Sequence, residues 1–466
     1  MYKTIHKPFS LRTHQRTKAT YKLDAKCVEK SPVIGRTQSH WLKASRTIFY
    51  DVTCLAKYML GDPALTGVRK VAYVSTFPPR KCGIATFTSD LVNAITCLNK
   101  LYDQRVISID GRHLFKPACE AMEHKIGRDF LDDYVLMADF LNQSSVEVVN
   151  IQHEFGIFGG EAGEYIGAFL DQLNRPVATT LHTVLPNFEN KSKAVFSKIV
   201  EKSTALVVLN ETTRTLIRQY GVPAKKVKLI PHGCPDLPLV PSAKAKPKLG
   251  LQNKVVLSTF GLLSKGKGIE QVISALPKII KKEPRLVYYV LGVTHPQVKK
   301  NEGEAYRNML HDMVKRLGLG GHVRFLNRFL TKPELYDYLQ ATDVYITPYV
   351  SPNQISSGAL VNALAAGKAV VSTPYLHAIE ALGGGRGVFC RFNDSDSIAE
   401  RVVEIIENPA LRESLEQKAY EYSRKFTWQS VAKKYLRLFN ELTQQMEEKN
   451  YSPTTPPKNR LSPSLH

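Results

Sequence analysis

The feature that most constrains the fold is an alternation of short apolar strands, loops and amphipathic helices that starts near residue 71 and occurs twice. Strands that alternate with helices predict parallel sheets covered by helices on both faces. We predict strands at 71–75, 146–151, 177–181, 205–209 and 227–230, and then at 255–260, 287–291, 323–326, 344–347 and 369–372. The sequence therefore predicts an α/β fold with two Rossmann-like, doubly wound domains that face a central cleft.

The stretch between the two series, residues 234–248, has four prolines and no periodicity, which is typical of an interdomain linker. We predict six segments in chain order: a basic arm without ordered structure at 1–48, an N-terminal Rossmann-like domain at 49–234, a linker at 235–250, a C-terminal Rossmann-like domain at 251–428, a helix at 429–448 and a disordered tail at 449–466.

The chain is basic, with 64 Lys and Arg against 42 Asp and Glu. Residues 1–48 alone hold 11 basic and 2 acidic residues. Such a charge suits a partner that carries phosphate, such as a nucleotide diphosphate, an anionic membrane surface or nucleic acid. Because no nucleic-acid recognition motif accompanies the charge, we expect no nucleic-acid partner.

Cysteine usage and hydropathy bear on the compartment. The 7 cysteines are scattered and form no metal-ligand spacing, so they indicate neither a disulfide framework nor a zinc site. No uninterrupted apolar run reaches the roughly 18–20 residues that span a bilayer, and the N-terminus has no secretory signal pattern. We expect a cytoplasmic protein, and peripheral contact with the inner membrane face stays open.

Two loops in the N-terminal half have residues suited to ligand binding. In the first, PPRKCGIATF at 78–87, Gly83 precedes a predicted helix, so the backbone can approach a ligand closely. In the second, IQHEFGIFGG at 151–160, a strand delivers His153 and Glu154 to a glycine-rich turn. This pair suits hydrogen bonding to hydroxyls or proton transfer. Each loop can also be read as an ordinary turn.

Two loops in the C-terminal half have the features of a diphosphate site. FGLLSKGKG at 260–268 combines glycines with Lys265 and Lys267 before a helix, although it is not a P-loop. In the segment 352–374, a polar turn precedes a helix of small residues, and amides at such a helix start can receive a diphosphate. The turn consists of Gln354, Ile355, Ser356, Ser357 and Gly358.

Taken together, the four loops resemble those of the retaining glycosyltransferases of family four, which have the GT-B fold. The resemblance covers about residues 71–445. Its most specific strings are AAGKAVVSTP, LIPHG, GKG and ATDVYITPY. STFPPRKCGIATF and IQHEFGIFGG look like one bacterial branch of the family.

The resemblance implies an activity and a division of labour. Members transfer a sugar from a nucleotide-diphosphate donor with retention of anomeric configuration, without a metal in the site and with no further cofactor. The N-terminal domain would hold a carbohydrate or lipid-linked acceptor. The C-terminal domain would hold a donor of the GDP-mannose or UDP-glucose type.

The resemblance also implies roles for individual residues. His182 and Gln354 would act at the donor sugar, and Lys267 would bind the diphosphate. Gly83 would lie near the phosphates and sugar. Gln354 and Asn362 occupy the two ends of the family's E-x7-E motif, so both motif glutamates are amides here. An amide still donates and accepts hydrogen bonds but cannot act as a charged base.

Because both glutamates are replaced, a second interpretation stays open, namely a non-catalytic protein that binds nucleotide sugars or carbohydrates on the same fold. A GT-B enzyme of another reaction, such as a nucleotide-sugar epimerase, fits the resemblance less well. Turnover of a donor distinguishes the first two interpretations.

Overall fold

A computed structural model describes residues 70–98, 102–110 and 124–451 of the chain. The predicted arm at 1–48 and the tail beyond residue 451 lie outside these ranges. Within them, no helix is both long enough and apolar enough to cross a membrane.

The first half forms one sheet of seven parallel strands in the order β3-β2-β1-β4-β5-β6-β7. The strands are β1 (Lys70–Ser75), β2 (Asp103–Asp110), β3 (His124–Gly127), β4 (Val148–His153), β5 (Val177–Leu181), β6 (Ala205–Val208) and β7 (Val227–Leu229). The helices between them are α1 (Gly83–Leu98), α2 (Leu131–Gln143), α3 (Tyr165–Gln172), α4 (Asn190–Lys202) and α5 (Glu211–Gln219).

The second half forms a sheet of six parallel strands in the order β10-β9-β8-β11-β12-β13. The strands are β8 (Val255–Phe260), β9 (Leu286–Leu291), β10 (Val323–Leu326), β11 (Val344–Thr347), β12 (Ala369–Ser372) and β13 (Val388–Phe389). The helices are α6 (Ser242–Ala245), α7 (Ile269–Lys282), α8 (Pro296–Glu302), α9 (Ala305–Arg316), α10 (Lys332–Ala341), α11 (Gly358–Ala365), α12 (Leu376–Leu382), α13 (Ser395–Glu407), α14 (Pro409–Ser423) and α15 (Trp428–Tyr451).

Both sheets have the strand order of a Rossmann fold, with the order reversing next to the first strand of each half. The central strands of both sheets are buried on both faces, which explains why they read as continuous apolar runs. This architecture confirms the predicted fold class. The sequence pattern missed β2, β3 and β13.

The predicted linker is partly helical. Its second half forms α6 and a 3-10 turn, Lys246–Leu249. Ser242 Oγ donates to Asp343 Oδ1 at 2.5 Å, and Lys246 Nζ lies 2.6 Å from Asp343 Oδ2. Because Asp343 is buried beside β11, these contacts attach residues 242–250 to the second sheet. The first half of the predicted linker is also held, because Asp236 pairs with Arg424 at 2.6 Å and the Leu237 carbonyl accepts from Tyr420 Oη at 3.0 Å.

The last helix returns to the first sheet. It runs from Trp428 to Tyr451, so residues 449–451, which we had placed in the tail, are helical. Its apolar face joins the core that β1 and α1 form. Where the chain crosses between the halves, Cys234 N–H donates to the Phe426 carbonyl at 2.8 Å, and Trp428 N–H donates to the Cys234 carbonyl at 2.9 Å. The two segments that connect the halves, one at Cys234 and one at 426–428, are thus hydrogen-bonded to each other.

Candidate active site

The loop between β1 and α1 lies where the strand order of the first sheet reverses. Ligands bind at this point in open parallel sheets. Gly83 is the first residue of α1, and a Cβ built on it would meet no atom within 4 Å. Cys82 supports the helix start, since its Sγ accepts the Ala85 N–H at 3.3 Å. The backbone at Gly83 is therefore open to a ligand.

His153 is the last residue of β4 and not a loop residue as predicted, because the strand extends two residues further than the apolar run suggests. Its ring is fully buried, and neither ring nitrogen has a hydrogen-bond partner in the described part of the chain. The ring packs against Phe155 and Phe158, with centroids 4.9 and 5.6 Å away. Burial lowers the pKa of His153 to about 3, so the ring is neutral.

Glu154 turns the chain after β4. Its carboxylate accepts the Phe155 N–H at 3.1 Å and the hydroxyl of Thr183. Burial raises the pKa of Glu154 above its usual value, and these two hydrogen bonds act in the opposite direction. Glu154 thereby connects the ends of β4 and β5.

His182 directly follows β5 and is also buried. Its Nε2 lies 2.8 Å from Gln152 Oε1, and its ring contacts the edge of Phe87 with centroids 4.7 Å apart. Burial, with a smaller contribution from His232 nearby, lowers the pKa of His182 to about 3. The predicted sugar-binding histidine is therefore an uncharged group.

Phe87 connects His182 to the second half of the molecule. Its ring centroid lies 5.0 Å from that of His232, in the turn after β7, and 5.0 Å from that of Trp428. His232 Nε2 lies 3.0 Å from the point that a Cβ on Gly358 would occupy. The contacts from His182 through Phe87 and His232 thus reach the start of α11.

In the second half, Lys267 lies in a 3-10 turn between β8 and α7. Its Nζ donates to Tyr349 Oη at 2.9 Å and stands 4.0 Å from the centre of the Tyr349 ring. Tyr349 Oη lies 3.3 Å from Ser357 Oγ. Lys265 is different: its side chain is 73% exposed and forms an ion pair with Glu302 at 3.0 Å. Lys267, but not Lys265, is held beside the start of α11.

Ser357 caps α11, since its hydroxyl accepts the Leu360 N–H at 3.3 Å. Its own N–H donates to His377 Nδ1 at 2.9 Å. The next amides, those of Gly358 and Ala359, have no partner inside the helix because they belong to its first turn. Unpaired amides at a helix start attract anions, as does a lysine ammonium, and Lys267 lies beside this helix start through Tyr349 and Ser357.

The two amides at the ends of the E-x7-E spacing make local bonds. Gln354 is exposed, and its Nε2 donates to the Ser356 carbonyl at 2.6 Å. Asn362 Nδ2 donates to the Gly358 carbonyl at 2.9 Å. Gln354 thus bonds within the turn that precedes α11, and Asn362 bonds to the first residue of the helix.

Ile355 has a packing role. Its side chain is buried in the core of the first sheet, and its carbonyl accepts from Asn210 Nδ2. On the same side, the Glu380 carboxylate accepts the Glu211 and Thr212 N–H groups at the start of α5, at 2.9 and 2.8 Å. These contacts hold α12 and the 354–358 turn against α5.

A cavity of about 240 Å³ lies at the same junction, lined by residues of both halves. Val361 and Leu364 of α11 form part of its wall, with Leu209, Leu229, His232 and Phe426. Its lining includes His232 and His377 but not Lys267, Gly83 or His182, so the cavity adjoins the candidate site without containing these three predicted residues. In the described ranges, His, Cys, Asp and Glu form no group of three that could hold a metal ion.

Sequence reasoning missed four residues that organise this site: Gln152, Tyr349, His232 and His377. Gln152 and Tyr349 stand within quoted motifs, IQHEF and ATDVYITPY, so a signal was present. His232 follows Pro231 in LIPHG. His377 carried no signal, because its contact with Ser357 depends on how α12 packs against the turn.

The arrangement of two facing Rossmann-like sheets is that of the GT-B fold. Solved structures with this fold align over most of the chain. The Anabaena protein HepE, in complex with UDP and glucose, has a TM-score of 0.63 at 18% identity and covers 83% of this chain and 100% of its own. Sucrose-phosphate synthase from Thermosynechococcus elongatus has a TM-score of 0.64 at 17% identity and covers 81% of this chain and 100% of its own.

Sequence comparison adds a family match for the second half of the chain. Residues 242–422 match the model of the family glycosyl transferases group 1. An uncharacterized glycosyltransferase of Methanocaldococcus jannaschii is 26% identical over 55% of this chain and 64% of its own length. The phosphatidyl-myo-inositol mannosyltransferase of Mycobacterium tuberculosis is 24% identical over 57% of this chain and 67% of its own. The match thus spans about two thirds of these relatives, and it supports the family resemblance that the motifs indicate.

Proposed function

We propose that the protein is a glycosyltransferase that transfers a hexose from a nucleotide-diphosphate sugar to a carbohydrate or lipid-linked acceptor, with retention of anomeric configuration. The observation that carries the proposal is the contact path from His182 to the start of α11. It supports the proposal because the neutral His182 ring, which would bind a sugar hydroxyl, is connected to the first amides of α11, which would bind a diphosphate.

Lys267 and the start of α11 would take the diphosphate. As the bond between the anomeric carbon and the phosphate oxygen breaks, that oxygen gains negative charge. Lys267 and the first amides of α11 would stabilise this charge, because they are fixed in place before the reaction. Gly83, at the start of α1, would allow the phosphates and sugar to approach the first sheet closely.

The neutral groups would bind the sugar and the acceptor. His182 and Gln354 would contact hydroxyls of the donor sugar, and Asn362 would lie nearest the nucleotide. Glu154, with His153 behind it, would face the acceptor. The polar turn Ile355–Gly358 would contribute backbone groups, since the Ile355 side chain is used in packing.

The anomeric configuration is retained if the acceptor attacks the same face of the sugar ring from which the leaving group departs. The acceptor oxygen then forms the new bond to the anomeric carbon, and its proton passes to the leaving phosphate oxygen. This route requires no carboxylate pair of the glycosidase type. It is consistent with amides at positions 354 and 362.

Those amides also support a second candidate, a non-catalytic protein that binds nucleotide sugars. Both are engaged in hydrogen bonds to their own backbone segment. On this interpretation the donor binds at the same site but is not turned over.

The test is a thermal-shift screen of the full chain with UDP-glucose, GDP-mannose and the matching nucleoside diphosphates. A ligand at 100 times its Kd stabilises the fold by about 2.7 kcal/mol. The donor that binds is then incubated with carbohydrate and lipid-linked acceptors, and the anomeric configuration of the product is determined by NMR. Binding without turnover favours the second candidate, and no binding by any nucleotide sugar contradicts both.

The compartment remains a prediction from the sequence. Co-sedimentation of the full chain with anionic and with neutral vesicles tests peripheral membrane contact.

A further inference from the structure

We propose that Asn150 and Gln152 are positioning residues that fix the tautomer of His182, with the proton on Nε2 and Nδ1 left as a hydrogen-bond acceptor. A sugar hydroxyl would then donate to His182 and never accept from it. The second statement rests on the proposed function, whereas the first concerns the ligand-free protein.

The argument starts at a backbone carbonyl. Asn150 and Gln152 project from the same face of β4, two residues apart, and both are fully buried. The Ala178 carbonyl of β5 lies 2.8 Å from Asn150 Nδ2. A carbonyl oxygen only accepts hydrogen bonds, so the amide nitrogen of Asn150 must face it. The Asn150 oxygen, Oδ1, therefore points toward Gln152.

The orientation of Gln152 follows from that of Asn150. Asn150 Oδ1 is an acceptor, and Gln152 Nε2 donates to it at 2.6 Å. Gln152 Nε2 has a second, longer contact with Thr180 Oγ1 at 3.4 Å. The remaining polar atom of the side chain, Oε1, then faces His182 Nε2 at 2.8 Å. Because this oxygen also only accepts, His182 Nε2 must carry a proton.

The reverse orientation is unfavourable. If the Gln152 amide were turned over, its oxygen would face Asn150 Oδ1. If the Asn150 amide were turned over as well, the Asn150 oxygen would face the Ala178 carbonyl oxygen. Either arrangement sets two acceptors face to face in a fully buried region, where an unsatisfied polar group costs about 1–3 kcal/mol. Backbone geometry thus determines the tautomer through two amide side chains.

The second nitrogen of His182 is then an acceptor. Burial keeps the ring neutral, so Nδ1 has a lone pair and no proton. A hydroxyl of the sugar can donate to it. A fluorine or methoxy group at the same carbon cannot, and the protein would discriminate against such a sugar.

The first experiment is NMR spectroscopy of ligand-free, 15N-histidine-labelled full chain, with His182 assigned through His182→Gln. We expect a single neutral tautomer with the proton on Nε2. In Gln152→Met, which keeps the side-chain length but removes the amide, both tautomers should be populated. Thr179→Val is the matched control, since it removes a buried hydroxyl that bonds Ser203 Oγ at 2.7 Å on the opposite face of β5 and leaves the bonds from Ala178 to His182 in place. A proton on Nδ1 in the wild-type protein would overturn the assignment.

The second experiment measures affinity for UDP-glucose and UDP, and for GDP-mannose and GDP, in the same three proteins. Gln152→Met should weaken binding of the nucleotide sugar by roughly 5- to 50-fold, because a buried hydrogen bond is lost. The affinity for the nucleoside diphosphate should stay within about twofold of the wild-type value, and Thr179→Val should change neither affinity. Equal losses for both ligands would contradict the role of His182 at the sugar. If no nucleotide sugar binds wild-type protein, the proposed function fails, while the NMR result still decides the tautomer.

Discussion

The two sides of the candidate site differ in how they hold polar ligands. The side formed by β4 and β5 uses buried, neutral groups: His153 and His182 have pKa values near 3, His153 packs between phenylalanine rings, and His182 lies against the Gln152 amide. The side formed by α7 and α11 uses a lysine ammonium and helix amides. Neutral groups in a desolvated region distinguish hydroxyls by direction, whereas a cation and a helix start attract any phosphate. A nucleotide sugar needs both.

The largest expected effect tests the neutrality of the first side. Burial lowers the pKa of His153 and His182 to about 3 and that of His232 and His377 to about 4. In the unfolded chain these rings titrate near 6.5. The unfolded state therefore binds more protons between about pH 6.5 and 4, and the free energy of unfolding falls as pH decreases, by up to about 1.4 kcal/mol per pH unit for each ring.

Chemical denaturation at pH 7 and pH 5 measures this slope. Since Glu154 and Glu416 have raised pKa values and act in the opposite direction, the decisive comparison is between variants. His153→Leu should flatten the slope, and Asn353→Ala, at an exposed residue that does not titrate, should not. Equal slopes in wild type and His153→Leu would show that His153 is not neutral in the folded state.

The next effect tests the charged side. Lys267→Met keeps most of the aliphatic stem and removes the ammonium. Loss of a charged hydrogen bond should weaken nucleoside-diphosphate binding by about 1.5–3 kcal/mol, or roughly 10- to 150-fold. Lys265→Met is the matched control, because its ammonium is exposed and paired with Glu302. Isothermal titration calorimetry measures both. If the two variants lose affinity equally, the phosphate does not lie beside Tyr349.

Gln354 sharpens the comparison, because it is a neutral residue on the charged side. Gln354→Ala should lower turnover by about 5- to 100-fold if the amide binds sugar hydroxyls. Gln354→Glu should retain activity if only acceptance is needed, and should lose it if an N–H donor near the phosphate is essential. Steady-state kinetics with the identified donor decide this, with Asn353→Ala as an exposed neighbouring control. Normal rates in both Gln354 variants would mean that the residue only closes the turn.

The smallest effect concerns the contact that holds the two sides together. Glu380→Ala removes the carboxylate that accepts the first amides of α5. Loss of such a cap should lower the free energy of unfolding by about 0.5–2 kcal/mol. Glu404→Ala, which removes an exposed intrahelical pair with Arg401, provides the baseline in the same denaturation experiment. A loss no greater than that baseline would mean that the junction is held by the other contacts there, such as the packing of Ile355 and its carbonyl bond to Asn210, and not by Glu380.

Much of the fold could be predicted from the sequence, because central parallel strands are continuous apolar runs. Strands β5, β8, β10, β11 and β12 have the predicted bounds. Strand β2 was missed, since its outer residues are polar and half-exposed near the sheet edge. Less of the candidate site could be predicted from the sequence. The bond between Gln152 and His182, for example, depends on the register of β4 against β5, which no local sequence pattern encodes. The buried position of Ile355 depends on contacts 145 residues apart in the chain, through Asn210.

The return of α15 to the first sheet affects how the protein is made. A ribosome releases the N-terminal half first, and domains generally begin to fold as they emerge. Here the core that β1 and α1 start includes Val431, Tyr435, Phe439 and Leu442, which are synthesised more than three hundred residues later. Until those side chains arrive, the apolar face of α1 around Phe87 and Leu91 lacks its partner. An apolar surface of the nascent N-terminal half therefore stays without its partner helix through most of translation, and a chain that ends before residue 428 lacks that helix altogether.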